Sequence, residues 1–374
     1  MRALLKKLRC IQLDPLSVIG TNADLVVMAR RDDARLGDVY RQLFPKHAFE
    51  HFAKERCILP ASAFSWYRAR MVETPWWRLT ERTKRVPESV LAEVLAEVRE
   101  RGPIAAANLT RRGPVAALDW DGWKGTAQMH MMALEILWTR CEIVVAGRDG
   151  RGKIYDVPER ALGDAGVARP VSPGAETMDG FARWAIMERV AAAGMLARPT
   201  GPQWSMLRDY RKSRVVEDLL RRGELREVQV SGSPRKFLAL PEFLDRKRES
   251  KWDPDGRVRI LGPLDPLLWD RPLIGSAFGF DYVWEVYKPA KQRRWGWYVC
   301  PLLREDRLIG RIDAQLIKTP VAKGRGDASP LELRVNRVWM EDGVRVPRKA
   351  IVASLERHAN MCGAGGRVSF AEKL

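Results

Sequence analysis

Cysteine and histidine are the scarce residues of this chain: five cysteines and four histidines in 374 residues. No two of Cys10, Cys57, Cys141, Cys300 and Cys362 form a CxxC spacing or a close pair. That excludes a zinc finger or a disulfide framework and fits a reducing compartment. His47 and His51 stand four residues apart, but the stretch reads HAFEH rather than HExxH, so zinc-protease chemistry is not expected. No other metal-ligand cluster is found, and no cofactor is implied. Long apolar runs are also missing, which argues against a membrane protein. The first residues mix Arg2, Lys6, Lys7 and Arg9 with leucines and contain no apolar core of a signal peptide. The expected location is cytoplasmic. Carboxylates are outnumbered, 47 against 65 basic side chains, for a net charge of +18. Such an excess points to a polyanion, with nucleic acid the leading option, because lysine and arginine release counterions from phosphates. The 46% hydrophobic content argues against disorder. The length suggests about two to four domains of roughly 100–200 residues.

Two segments share an architecture. The first begins near Pro87 with Val90, Leu91, Val94, Leu95 and Val98 at helical spacing, stopped by Arg101-Gly102-Pro103. A short helix over 105–109, a helix over 126–138 and strands over 143–146 and 153–157 follow. The second begins near Met178, with a helix to Gly194, another over 215–220, and strands over 227–230 and 236–240. Leu137 to Pro158 and Leu220 to Pro241 each span 21 residues, at an offset of 83. Helices followed by a two-stranded hairpin form the winged-helix pattern, a helix-turn-helix variant. Winged helices also serve as protein–protein modules; the charge favours DNA.

Before Pro87 the pattern is mixed, with Trp66, Tyr67, Arg68 and Arg70 as a cationic–aromatic cluster. After Lys251 the character turns to β. Residues 282–287 and 295–299 alternate as strands around Lys288-Pro289-Ala290-Lys291-Gln292-Arg293-Arg294, which predicts a hairpin with a cationic tip. Strands over 307–312 and 331–339 and a last helix over 349–360 complete the chain.

Near the start stands Gln12-Leu13-Asp14-Pro15. Pro15 biases Asp14 to an extended conformation, so Gln12 and Asp14 project together. Proline is favoured at the first helical position and aspartate just before it. Asp14 is therefore open to two readings, a helix N-cap or a catalytic carboxylate held in place and ionised by the helix dipole.

Gln12-Leu13-Asp14 resembles the Gln-apolar-Asp catalytic motif of winged-helix DNA glycosylases of the AlkZ/YcaQ (crosslink repair) kind. Further boxes appear in the family's order. They are residues 50–60 (EHFAKERCILP), 66–71 (WYRARM), 261–271 (LGPLDPLLWDR), 287–299 (YKPAKQRRWGWYV) and 310–314 (GRIDA); together they reach across most of the chain. One departure is the short distance between Met1 and Gln12, where family members usually carry a helical segment; the first winged helix is then incomplete or starts upstream. The resemblance implies an α+β chain of tandem winged helices with a C-terminal β-rich domain. The expected boundaries are 1–86, 87–170, 171–248 and 249–374.

It also implies a monofunctional DNA glycosylase that hydrolyses the N-glycosidic bond of N7-alkylated purines, including crosslinked ones, in double-stranded DNA. The chain would act as a monomer at the nucleoid. Asp14 would stabilise an oxocarbenium-like sugar and activate water, and Gln12 would orient that water. Arg68, Arg70, Lys291, Arg293, Arg294 and Arg311 would hold DNA, and Trp295 or Trp297 would support the hairpin. The competing class is a winged-helix transcriptional regulator or architectural DNA binder, which needs neither the Gln12/Asp14 pair nor the cationic hairpin. A nuclease would need a metal-binding carboxylate cluster, and Asp32-Asp33 is not suitably spaced.

Overall fold

The computed structural model describes residues 1–70, 79–118, 127–150, 152–168, 177–245, 255–319 and 331–372. Helix and strand are mixed throughout, and no helix among the described residues is long and apolar enough to cross a membrane. The chain divides into two compact units, each discontinuous in sequence: 1–10, 40–189 and 204–222 form one, and 11–39, 190–203 and 223–374 the other.

The first unit is built on a core of Val94, Val98, Ile104, Leu134, Leu137 and Trp138. Its principal helices are Glu88–Arg101 and Met129–Thr139. Ala48–Phe52 pairs antiparallel with Arg56–Pro60, so His51 lies in a strand and His47 in the turn before it. His51 is a core residue whose Nε2 lies 3.2 Å from the Thr139 carbonyl. The charged residues of this hairpin are spent on the fold. Glu50 receives Arg148 Nε and Nη2 at 2.8 Å each, and the Tyr40 hydroxyl at 2.8 Å. Arg56 donates to Glu135 at 2.8 Å and lies 4.4 Å over the Trp138 ring. Buried carboxylates survive only when paired in this way.

The second unit is organised by a five-stranded sheet in the order Val258–Ile260, Val299–Arg304, Arg307–Lys318, Leu331–Met340, Val368–Phe370. All pairs are antiparallel except the last. The helix Arg348–Met361 buries Ile351, Leu355 and Ala359 in the core that also holds Ile19, Tyr298 and Cys300. The strands expected over 307–312 and 331–339 and the last helix are present, with Arg307–Lys318 longer than its apolar pattern suggested.

The paired repeats are also visible as elements. Ile104–Ala105, Gly152–Asp156 and Val144–Asp149 form a sheet with Gly152–Asp156 in the centre; Met195–Ala197, Lys236–Ala239 and Arg226–Gln229 repeat that order. The helices Met129–Thr139 and Arg214–Arg221 precede the two hairpins. The segment expected as a helix over 105–109 is a 3-10 turn, Ala106–Asn108.

The cationic hairpin is a correction. Residues 282–287 form no strand, and regular pairing begins only at Val299. The physical reason is Glu285, whose buried carboxylate accepts the backbone N–H groups of Arg294 (3.1 Å), Trp295 (2.7 Å) and Gly296 (3.4 Å). Those donors would otherwise have built the ladder. Pro289 offers none, and Gly296 at φ +150° adopts a backbone other residues avoid. The result is a clamped loop carrying one 3-10 turn, Ala290–Gln292.

Candidate active site

Ile11–Gln12 is extended, and Gln12 is buried. No helix follows Asp14. The next one is Asn22–Met28, capped by Thr21, whose side chain accepts the Asp24 N–H while Asp24 reaches back to the cap. The N-cap reading of Asp14 is thereby overturned. Asp14 Oδ1 instead accepts the Leu16 N–H at 2.8 Å, a local turn that aspartate side chains favour.

Asp14 is half-buried. Burial raises its pKa from the ordinary 3.8, and the Leu16 N–H pulls it back only partly. A carboxylate so placed is a stronger base than one in water. Its field reaches two tyrosines. Tyr298 is pushed above the usual tyrosine range by burial, then by Cys300 and Asp14. Tyr287 is raised by desolvation, then by Asp14. The clamped loop and the Gln12–Asp14 segment therefore belong to one neighbourhood.

Asn22 fixes Gln12. Every residue of the helix Asn22–Met28 is buried, so its polar side chains must find partners. Asn22 Nδ2 donates to the Gln12 carbonyl at 2.8 Å, and its Oδ1 accepts the Leu264 N–H at 3.2 Å. The 261–271 box secures the other side. Arg30 grips the fully buried Asp265 with two bonds of 2.6 and 2.9 Å, while Asp270 caps Arg271–Phe278 and takes both Arg235 Nη atoms at 3.1 and 2.8 Å.

The expected DNA ligands separate into three groups. Lys291 and Arg294 are exposed on the clamped loop; Arg293 is half-buried and donates to the Lys288 carbonyl at 2.8 Å. Arg68 spends its guanidinium within the first unit, on Glu159 at 2.9 Å and on the Gly166 carbonyl. Arg70 ends the helix Phe64–Arg70, and its side chain lies outside the described residues. Arg311 is a correction: it is 2% exposed, too deep to reach a phosphate. It donates to the Asp281 carbonyl at 2.9 Å and to Glu341 at 2.6 Å. The rings of Phe280 and Trp295 lie 4.4 and 4.2 Å from its guanidinium carbon. Trp295 also carries Arg294 at 4.5 Å.

Sequence reasoning missed Asn22, Glu285 and Tyr287. A carboxylate inside the aromatic run Tyr282-Val283-Trp284-Glu285-Val286-Tyr287 was the available signal, since such a group must be satisfied if buried. Among the described residues no three His, Cys, Asp or Glu side chains gather to hold a metal ion.

Two comparisons bear on this arrangement. A family model described as "DNA glycosylase AlkZ-like" matches residues 5–361. Among solved structures, the chain resembles the Streptomyces sahachiroi DNA glycosylase AlkZ with a TM-score of 0.57 and 19% sequence identity, over 98% of this chain and 92% of that one. At that identity the likeness speaks for the fold, while the family match rests on nearly the whole chain.

Proposed function

The chain belongs to the AlkZ-like DNA glycosylase family, and from that premise we propose that Asp14 and Gln12 hydrolyse the N-glycosidic bond of N7-alkylated purines in duplex DNA. Membership makes it a DNA repair glycosylase rather than a regulator; the substrate and residue roles are our reading. The observation that carries them is the half-buried Asp14 carboxylate, held by the Leu16 N–H two residues after an extended, tethered Gln12.

Alkylation at N7 places a positive charge on the purine, so the glycosidic bond is already weakened and the sugar develops oxocarbenium character as it breaks. A carboxylate beside that sugar stabilises the cation, and being raised in pKa it also draws a proton from an attacking water. Gln12 orients the water. Because water is the nucleophile, the product is an abasic site with an intact backbone, as a monofunctional enzyme leaves. The half-buried setting of Asp14, in the unit that also carries the exposed Lys291 and Arg294, supports action on bulky or crosslinked purines. Such bases cannot enter a closed pocket freely.

The repeats 87–170 and 171–248 are read as the second and third winged helices, between a first over 1–86 and a β-rich domain over 249–374. The matching sheet orders and the offset of 83 support this. The protein would act as a monomer on the nucleoid. Incubation with a duplex holding one N7-methylguanine tests the proposal. Strand cleavage should appear only after alkali, and a crosslinked duplex should separate into single strands. Absence of abasic sites at high enzyme concentration would refute it.

A further inference from the structure

Tyr287 stands 85% exposed on the clamped loop, although a tyrosine ring ordinarily buries much of its surface. The loop does not present it by being slack. Glu285 is 1% exposed and takes three backbone N–H groups, together with the Lys288 ammonium at 2.8 Å. Nor is the ring remote from the chemistry. Trp284 meets Tyr287 edge-on at 5.8 Å and Tyr298 edge-on at 6.1 Å. Trp284 and Tyr298 pack in one apolar cluster with Leu16 and Val18, the residues that follow Asp14. The Asp14 carboxylate in turn raises the Tyr287 hydroxyl, after desolvation.

An exposed aromatic ring on a clamped loop, within the field of a carboxylate, is matched by a planar cation. The electron-rich face of a tyrosine attracts positive charge, and a purine alkylated at N7 is both planar and cationic. Resting on the substrate reading above, we propose that the Tyr287 ring stacks face-on against the alkylated purine and selects the cationic base over the neutral one. Exposed Lys291 and Arg294 hold flanking phosphates and carry no such discrimination.

The test separates binding from hydrolysis. Duplexes carrying one 2′-fluoro-N7-methylguanosine, whose fluorine slows base loss, or one 2′-fluoroguanosine are titrated by fluorescence anisotropy. The proteins are wild type, Tyr287→Phe and Tyr287→Leu, each checked for folding by thermal melting. Wild type and Tyr287→Phe should prefer the cationic duplex. Tyr287→Leu, which keeps apolar bulk and loses the π face, should lose about threefold to thirtyfold of that preference, the span of a cation–π contact. Its affinity for the neutral duplex should stay within about twofold of wild type. Equal binding of both duplexes by wild type, an undiminished preference in Tyr287→Leu, or a preference lost in Tyr287→Phe would each overturn the proposal. Base release is followed separately on the unfluorinated duplex. Selective binding without release would count against the catalytic reading of Asp14 and uphold the role of Tyr287.

Discussion

Asp14 is acted on by two opposing effects, and burial outweighs the Leu16 N–H. Its working form is the carboxylate, so lowering the pH through its raised pKa should switch off hydrolysis. Single-turnover base release is therefore expected to show an acidic limb centred above pH 3.8, and the rate should level off as pH rises to neutrality. A limb at or below the ordinary aspartate value would contradict the burial argument. At this scale the sequence was informative because the relevant physics is local: Pro15 and the period of two set the extended Gln12-Leu13-Asp14 geometry. The N-cap reading failed for a non-local reason. Whether a helix follows Asp14 depends on Thr21 and Asp24 forming a reciprocal cap seven residues on, and on the Asx turn at Leu16 displacing a start at Pro15. Asn22 was equally hard to find, since its value lies in partners ten and 242 residues away.

Among the elements, the clamped loop and the 261–271 box each hang on one small feature. Glu285 is held near pKa 2: burial opposes its ionisation, but Lys288 and the amides of Trp295, Arg294 and Gly296 prevail. A carboxylate depressed in the folded state stabilises above its unfolded value, and that stability is lost as pH falls from about 4.5 towards about 2. Glu285→Gln should remove this pH dependence and lower stability by about 1.5–3 kcal/mol, the range for a charged hydrogen bond. Denaturant titrations at pH 7 and pH 3 check both. Gly262 is the second feature, because a Cβ there would lie 2.7 Å from Asn22 Oδ1 and 3.1 Å from Leu25 Cβ. Gly262→Ala is expected to cost about 1–3 kcal/mol through overpacking. By displacing the residue that tethers Gln12, it should also slow base release more than it weakens DNA binding, as a comparison of single-turnover rate and Kd would reveal. The aromatic alternation of 282–287 and 295–299 suggested a hairpin because alternation records burial by turns and does not record who satisfies the backbone. Glu285 satisfies it here.

For the whole molecule, the charge of +18 indicates DNA without locating it. Arg30, Arg56, Arg148, Arg235 and Arg311 all grip carboxylates inside the fold, so arginines cannot be counted as phosphate ligands from composition. The double variant Lys291→Ala/Arg294→Ala should flatten the plot of log Kd against log salt by about 1.8, at roughly 0.9 for each phosphate no longer neutralised. Arg311→Met should leave that slope unchanged and lower the melting temperature. The individual helices and hairpins of the two repeats were legible in the sequence because each is a short contiguous segment, whereas the second repeat as a whole is divided between the two units. The grouping of 11–39 with 223–374 was not legible, since nothing in a one-dimensional pattern joins segments so far apart. The central claim is that Asp14 is catalytic, and Asp14→Asn tests it most directly because asparagine is nearly isosteric and can accept the same turn bond from Leu16. Base release from an N7-methylguanine duplex is measured under single-turnover conditions in EDTA, with folding and DNA affinity verified. The expected result is wild-type activity unaffected by EDTA and a loss of at least about a hundredfold in the variant; a folded, DNA-binding Asp14→Asn protein with wild-type rate would contradict it.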